Sequence, residues 1–150
     1  MTEPAAAFAK PNALERAFGS VIGFLVRLGV GPSHMRVLEV RGRKSGKLLS
    51  LPVDLLASGG KLYLVAPRGR AQWVRNAEAA GAVVLRRGSR VQEYRLRSLS
   101  DAEKPRILKE YLDAFKSEVQ RFFPLPAGSP VEQFAALVTR YPAFELTSSP

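Results

Sequence analysis

The sequence contains no cysteine and only one histidine, His34, among its 150 residues. Without cysteine, the chain can form no disulfide, no zinc–thiolate site and no cysteine nucleophile. A histidine-based metal site or a Ser-His-Asp triad would have to use His34, which lies in a predicted loop. No second histidine and no carboxylate pair lies near it in the sequence, so a solvated or structural role is favoured over a catalytic one. We expect no metal site.

Long hydrophobic runs are also missing. The longest, residues 21–26, is interrupted by Gly23 and is far shorter than the ~20 residues that a membrane span needs. The first eleven residues lack the basic start and the apolar run of a signal peptide. We therefore expect a soluble, cytoplasmic protein. The length of 150 residues predicts one domain over residues 1–150, in which residues 1–10 are flexible.

Acidic residues are scarce in the middle of the chain. The protein has 23 Lys and Arg against 13 Asp and Glu, a formal net charge of +10. Residues 36–97 contain 14 of the cations and four of the acids, so this segment alone accounts for +10, and the remainder is neutral. Such asymmetry favours an anionic partner over the alternative, a basic surface that only aids solubility.

The hydrophobic pattern predicts an α+β protein. Apolar residues at helical spacing predict an amphipathic helix over residues 12–28, which either packs on the sheet or, less favoured, lies on a membrane surface. Six strands are predicted over residues 36–41, 48–57, 61–66, 82–87, 90–99 and 143–147, and further helices over 71–80, about 103–123 and 130–139. Tight turns between most strands make antiparallel pairing the default. We expect a mainly antiparallel sheet or small barrel with peripheral helices, and no doubly wound sheet.

A glycine-containing, strongly basic bend at residues 42–47, GRKSGK, is called the basic turn below. It is not a Walker loop, because only three residues separate Gly42 from Gly46 and Lys47 is followed by leucine. It could still bind an anion through backbone N–H groups, the Ser45 hydroxyl and its cationic side chains. The alternative is a plain basic hairpin turn, since turn chemistry explains the glycines equally well.

A second cluster, residues 65–76, contains Trp73, the only tryptophan of the chain. Trp73 and Asn76 are three residues apart and share one helix face, and a tryptophan beside Arg70 would suit a flat, charged ligand. Alternatively, Trp73 packs in the core and Asn76 bonds to the backbone. Tyr141 and Phe144 could line a pocket or simply close the core.

Four segments in this order resemble the deazaflavin-dependent nitroreductase family, which comprises split β-barrel oxidoreductases that use coenzyme F420. They read GRKSGKLLSLP, GGKLYLVA, GRAQWVRN and AVVLRRGSRVQEYRL, all within residues 42–96. The family pattern is G-R-x-[ST]-G-x-x-R-x-x-P, then a strand, a glycine-containing loop, W-x-x-N and a β-hairpin. The ending RYPAFEL is also similar to one branch of the family.

The resemblance implies a split β-barrel (FMN-binding-like) fold and a deazaflavin whose side chain carries a phosphate and a glutamate tail. The implied cofactor-binding residues are Arg43, Lys44, Ser45, Gly46, Lys47, Ala66, Pro67, Arg68, Gly69, Arg70, Trp73 and Asn76, with Tyr141 as a weak candidate for the substrate side. No catalytic side chain is expected, since the reduced coenzyme delivers the hydride. One departure stands out: Leu49 occupies the position of a family arginine, and Lys47 is the nearest cation that could compensate.

These expectations define a main hypothesis and two alternatives. The main one is an F420-dependent oxidoreductase that reduces nitro, unsaturated or quinone-like small molecules, with FMN as the alternative cofactor. The second is a non-catalytic carrier of a flavin, a deazaflavin or a lipid on the same barrel. The third is a nucleic-acid-binding module, which is disfavoured because few aromatic residues accompany the basic ones. A monomer or a homodimer is expected.

Overall fold

The computed structural model describes residues 33–149. The predicted flexible segment at residues 1–10 and the predicted helix over residues 12–28 lie outside the described residues. Both therefore stay predictions, as does the choice between packing and membrane contact for that helix.

Within residues 33–149, seven strands form one antiparallel sheet in the order β2-β1-β5-β6-β7-β4-β3. The strands are β1 (Met35–Arg41), β2 (Leu48–Asp54), β3 (Leu56–Ser58), β4 (Lys61–Val65), β5 (Ala82–Arg87), β6 (Arg90–Ser98) and β7 (Ala143–Ser148). The sheet curls into the half-barrel of the split-barrel α+β fold, so the predicted fold class is confirmed. Pro52 lies on β2 at the sheet edge, where a strand tolerates a residue without an N–H group.

The predicted strand over residues 48–57 is in fact two strands at opposite edges of the sheet. β2 pairs with β1, whereas β3 pairs with β4. The break falls at Leu55, whose backbone N–H donates to the carbonyl of His34 (2.8 Å) instead of continuing a ladder. A continuous apolar pattern cannot reveal this change of partner, which explains why the sequence predicted six strands and the structure has seven among the described residues.

Two α-helices flank the sheet within residues 33–149: α1 (Gln72–Ala80) and α2 (Lys104–Val119). α2 follows a capping box, in which the Glu103 N–H donates to Ser100 Oγ and the Ser100 N–H donates to Glu103 Oε1. The turn after α2, Gln120–Phe122, and the segment Val131–Leu137 are 3₁₀ helices. The sequence had predicted helix there without distinguishing the tighter form.

Among the described residues, the hydrophobic core forms two parts on either side of the curled sheet. One part packs the apolar face of α2 against β3, β4 and the 3₁₀ segment, with Leu108, Leu112 and Phe134 fully buried. The other packs α1 against β1 and β5 around Val74 and Leu38. β4 and β7 contribute side chains to both parts, so the two cores and the cavity beside them depend on these two strands.

Candidate functional site

A cavity of about 580 Å³ opens between the end of β2 and the end of α2. This volume is in the range of small-molecule and cofactor sites. Its walls are mainly apolar and aromatic, and they carry two carboxylates and two arginines. The lining residues are Met35, Leu51, Pro52, Val53, Asp54, Val65, Pro67, Arg68, Trp73, Tyr111, Glu118, Val119, Arg121 and Phe122. The site can therefore take a flat, partly apolar molecule with charged groups near it.

The basic turn joins β1 to β2 and is anchored to α1. Asn76 is buried, and its Oδ1 accepts hydrogen bonds from the backbone N–H of Arg43 (3.0 Å) and from Arg43 Nη1 (2.8 Å). Gln72, one turn earlier on α1, accepts from the same guanidinium (3.0 Å). Arg43 is thus committed to positioning the turn against the helix that carries Trp73.

Several donors of the basic turn remain available to a ligand. The side chains of Lys44 and Lys47 are exposed, and no carboxylate of residues 33–149 forms an ion pair with either. Ser45 Oγ accepts from the Lys47 N–H (3.2 Å), which leaves its own hydrogen free to donate. These groups are the kind that bind phosphate or carboxylate with charge-assisted hydrogen bonds.

The two glycines of the basic turn are required for different structural reasons. Gly46 has φ of +71°, a left-handed conformation that side chains disfavour. At Gly42 a Cβ atom would lie 2.6 Å from Ser45 Oγ, so a larger residue would displace that hydroxyl. The shape of the turn therefore depends on both glycines. Leu49, the departure from the family pattern, is 38% exposed on β2, and it contributes no charge there.

Replacing Asn76 with alanine is expected to lower the free energy of unfolding by about 2 kcal/mol, because two hydrogen bonds, one of them to a charged donor, lose their buried acceptor. Urea denaturation followed by Trp73 fluorescence would measure the change. Gln72→Ala is the matched control: it removes an exposed contact to the same arginine and should cost less than about 0.5 kcal/mol. Equal effects for the two variants would contradict the anchoring role of Asn76.

The loop after β4 divides the predicted ring-binding residues between two places. Pro67 and Arg68 line the cavity, and the Arg68 guanidinium lies 4.6 Å from the centre of the Phe122 ring. Ala66 and Gly69 are buried and joined by a hydrogen bond from the Gly69 N–H to the Ala66 carbonyl (3.1 Å). Arg70 instead forms an ion pair with Glu78 and lines a separate, smaller cavity of about 150 Å³. The structure does not bring Arg70 to the larger cavity.

Trp73 fits both interpretations made from the sequence, that of a core residue and that of a residue in contact with a ligand. It is 8% exposed and packs against Phe144, with ring centres 6.3 Å apart, yet it also lines the cavity. Tyr141, by contrast, is 2% exposed, stacks on Phe123 with ring centres 4.4 Å apart, and donates its hydroxyl hydrogen to the Phe122 carbonyl. It is not among the residues that line the cavity, so its assignment to the substrate side stays a prediction without geometric support.

The structure adds a group that the sequence analysis missed. His34 Nε2 lies 3.1 Å from Glu118 Oε1 and 3.2 Å from Asp54 Oδ1, and its ring lies 4.6 Å from that of Phe115. We call His34, Asp54 and Glu118 the carboxyl–histidine cluster. The three residues are far apart in the sequence, 84 positions between His34 and Glu118, so no local signal could have found it.

The carboxyl–histidine cluster has unusual proton affinity. Burial, with the contact to Glu118 second, raises the pKa of Asp54 to about 8. Asp54 is 9% exposed, and its Oδ1 has no well-directed hydrogen-bond donor among the described residues, although His34 Nε2 is close to it. Burial also raises the pKa of Tyr111, and the adjacent Asp54 and Glu118 raise it further. The cluster therefore holds a proton at neutral pH.

Solved structures with related folds are similar to this chain at low sequence identity. An F420-H2-dependent reductase, FDR-A, has a TM-score of 0.53 and 21% identity, covering 79% of this chain and 97% of its own. A structure described as a domain-swapped dimer has a TM-score of 0.54 and 19% identity, covering 89% and 96%. A putative pyridoxamine 5'-phosphate oxidase from Listeria innocua has a TM-score of 0.52 and 12% identity, covering 78% and 85%. These likenesses establish the fold.

Family membership comes from the sequence model of the F420H(2)-dependent quinone reductases, which matches residues 13–121. No curated protein matches the chain in sequence. The matched range is 109 of the 150 residues and contains the basic turn, α1 and the carboxyl–histidine cluster. The chain belongs to the F420H(2)-dependent quinone reductase family and is an oxidoreductase that uses coenzyme F420 to transfer hydride to quinone-like acceptors.

Proposed function

We propose that the basic turn binds the anionic side chain of coenzyme F420 and that the cavity beside Trp73 holds its ring together with the quinone-like acceptor. The observation that carries the proposal is the set of free donors at Lys44, Ser45 and Lys47, held in place by the buried Asn76. The residues present fit the coenzyme, since phosphate and glutamate groups need cationic donors and a planar ring needs an apolar wall.

The turn and the cavity are connected by two elements of the fold. β2 begins at Leu48, directly after the basic turn, and its residues 51–54 line the cavity. On α1, Asn76 holds the turn while Trp73, one helical turn earlier, lines the cavity. A ligand with an anionic tail and a flat head could therefore lie along this path with both ends bound.

When bound, the reduced deazaflavin supplies the hydride. The side chains of the protein bind and orient the coenzyme and the acceptor. Lys44, Ser45 and Lys47 hold the anionic end, whereas Val65, Trp73 and Phe122 provide apolar surface that excludes water from the reacting ring. Arg68 and Arg121, each 4.6 Å from the centre of the Phe122 ring, lie where negative charge on a reduced acceptor would be stabilised.

Nitro compounds are further candidate acceptors, because they accept hydride as quinones do, and the cavity has no feature that separates the two. In this proposal the protein acts in the cytoplasm on a small molecule, and its function does not involve nucleic acid. Among the helices of residues 33–149, none has the length and hydrophobicity of a membrane span. A homodimer is favoured by the edge strand β2, which exposes Leu48 and Leu49, and by the dimeric fold neighbour.

The double variant Lys44→Ala/Lys47→Ala tests the anion site. It should weaken F420 binding at least tenfold at low salt, because two charge-assisted contacts are lost, and the difference should shrink as salt screens the charges. Fluorescence titration with the purified coenzyme measures both effects. Arg90→Ala/Arg95→Ala removes the same charge from exposed positions on β6 and should leave affinity within about twofold. Equal losses in the two variants, or tighter binding of FMN than of F420, would overturn the proposal.

A further inference from the structure

The carboxyl–histidine cluster lies at the boundary between the cavity and solvent. Asp54 and Glu118 both line the cavity. Behind them His34 contacts both carboxylates and is 30% exposed, whereas the Asp54 side chain is 9% exposed. The backbone fixes this arrangement, since the Leu55 N–H donates to the His34 carbonyl (2.8 Å) and Met35 pairs with Asp54 across β1 and β2. A continuous chain of protonatable groups thus connects solvent to the cavity.

Reduction of a quinone requires a proton as well as a hydride. The hydride brings two electrons and one hydrogen, and the second hydrogen must reach an oxygen of the acceptor as a proton. Water is poorly placed to supply it in a cavity whose walls are largely apolar. A buried carboxyl group that keeps its proton at neutral pH is suited to this task, in the way that general acids are tuned to the operating pH.

We propose that the Asp54–Glu118 pair is the proton donor for the acceptor and that His34 returns the proton from solvent. The proposal rests on the proposed function, because it places the acceptor in the same cavity. The C–H bond of the reduced deazaflavin breaks as the acceptor takes the hydride. The O–H bond of the carboxyl pair breaks as an O–H bond forms on the acceptor. The quinone becomes a hydroquinone, the deazaflavin is oxidised, and the pair is reprotonated through His34.

The surroundings of the pair support a stored proton. The titratable or charged side chains that face the pair among the described residues are His34 before β1, Tyr111 on α2, Arg68 after β4 and Arg121 after α2. The raised pKa of Asp54 comes from burial first and from Glu118 second. Burial, the side-chain hydrogen bond to Glu118 and the like charge of that carboxylate all favour a shared proton over two ionised groups.

The first test uses the protein without cofactor. His34 is the only histidine of the chain, so its imidazole NMR signals are assigned without ambiguity. These signals should report a transition near pH 8 as the adjacent Asp54 carboxyl loses its proton. The same transition should be absent in Asp54→Asn and unchanged in Glu93→Gln, an exposed carboxylate on β6. A wild-type protein that shows no transition between pH 6 and 10 would overturn the stored proton, whatever the cofactor does.

The second test measures single-turnover hydride transfer from reduced F420 to a benzoquinone. The wild-type rate should fall about tenfold per pH unit above pH 8, whereas Asp54→Asn should be about 100-fold slower and independent of pH there. Glu118→Gln serves as a second variant should Asp54→Asn fold poorly, and Glu93→Gln should match the wild type. Full rate and an unchanged pH profile in Asp54→Asn and Glu118→Gln would overturn the relay.

Binding of the coenzyme separates the two proposals. If wild-type protein binds reduced F420 and turns over while the cluster variants keep their rates, only the relay fails. If it binds no F420, the proposed function fails, and the relay fails with it because there is no hydride transfer to complete. Elemental analysis gives one further outcome: a divalent metal ion retained at one equivalent by the wild type and lost in Asp54→Asn would show a metal site in place of the relay.

Discussion

Replacing Phe144 with alanine is expected to lower the free energy of unfolding by about 4 kcal/mol, the usual cost of removing a fully buried aromatic side chain. Phe144 is 2% exposed and is the second residue of β7. Its strand neighbours are Leu64 on β4 and Ser98 on β6, and its ring packs against Trp73. The cavity left by truncation would lie between α1 and the centre of the sheet, where rigid strands on both sides resist collapse.

Urea denaturation measures this loss, and the fluorescence of Trp73 reports on the altered site. Phe144→Leu should retain about half of the lost stability and should keep the variant foldable if Phe144→Ala is not. Val91→Ala is the control, because Val91 is 48% exposed on β6 and its truncation should cost less than about 0.5 kcal/mol. A Phe144→Ala protein with nearly wild-type stability would contradict the central position of this ring in the core.

Replacing Asp54 with asparagine is expected to stabilise the protein, and the gain should grow with pH. The pKa of Asp54 is raised from 3.8 to about 8 in the folded state, by burial first and then by Glu118. Between these values the folded state holds a proton that the unfolded state has lost. Wild-type stability therefore falls as pH rises from about 4 to about 8 and is constant above that range. Asparagine, which never ionises, removes this slope.

We expect a stability difference of roughly 5 kcal/mol between Asp54→Asn and the wild type at pH 8, and little of it at pH 4, since each unit of the pKa shift is worth about 1.4 kcal/mol. Thermal denaturation across this range measures it. Asp113→Asn is a control of opposite sign: burial acts to raise the pKa of Asp113, but hydrogen bonds from Lys109 and the Gly128 amide lower it overall. That variant should lose stability at neutral pH and regain it in acid. A pH-independent effect of Asp54→Asn would show that the carboxyl is ionised in the folded protein.

Stabilisation by loss of a polar side chain would itself be informative about the site. A carboxyl that is buried without a well-directed donor costs free energy. A protein that keeps such a group in its cavity does so at the expense of stability, as is common where function depends on a perturbed side chain. The stability measurement and the kinetic test above address the same proton by independent routes.

Local features of the fold were predictable because their causes are short-range. The hairpin at Ser58–Lys61 follows from two adjacent glycines, and the two-residue turn between β5 and β6 follows from Gly88 and Ser89. The capping box before α2 follows from Ser100 and Glu103 three residues apart. Antiparallel pairing followed from these tight turns, and the order of motifs placed the chain in its family. The turns and the helix cap needed only residues that are near neighbours in the chain, and the family assignment needed only the order of short motifs.

Long-range geometry decided the rest. Whether residues 48–57 form one strand or two depends on which strands they pair with, and that is set across the sheet. The pairing of Arg70 with Glu78, and the burial of Tyr141 under Phe123, direct these side chains away from the larger cavity. Sequence spacing places a residue on an element but does not determine which cavity its side chain lines.

The sequence alone determined the chemistry available to this protein: a basic turn with its glycines, a tryptophan and an asparagine on one helix face, and a chain without cysteine. Only the tertiary structure brought Asn76 to Arg43, 33 residues away, and His34 to Glu118, 84 residues away. The physical reason is that the sheet curls and that the chain passes at Leu55 from one edge strand, β2, to the other edge strand, β3. Groups that are each unremarkable in sequence then share one poorly solvated boundary, where a carboxyl retains its proton.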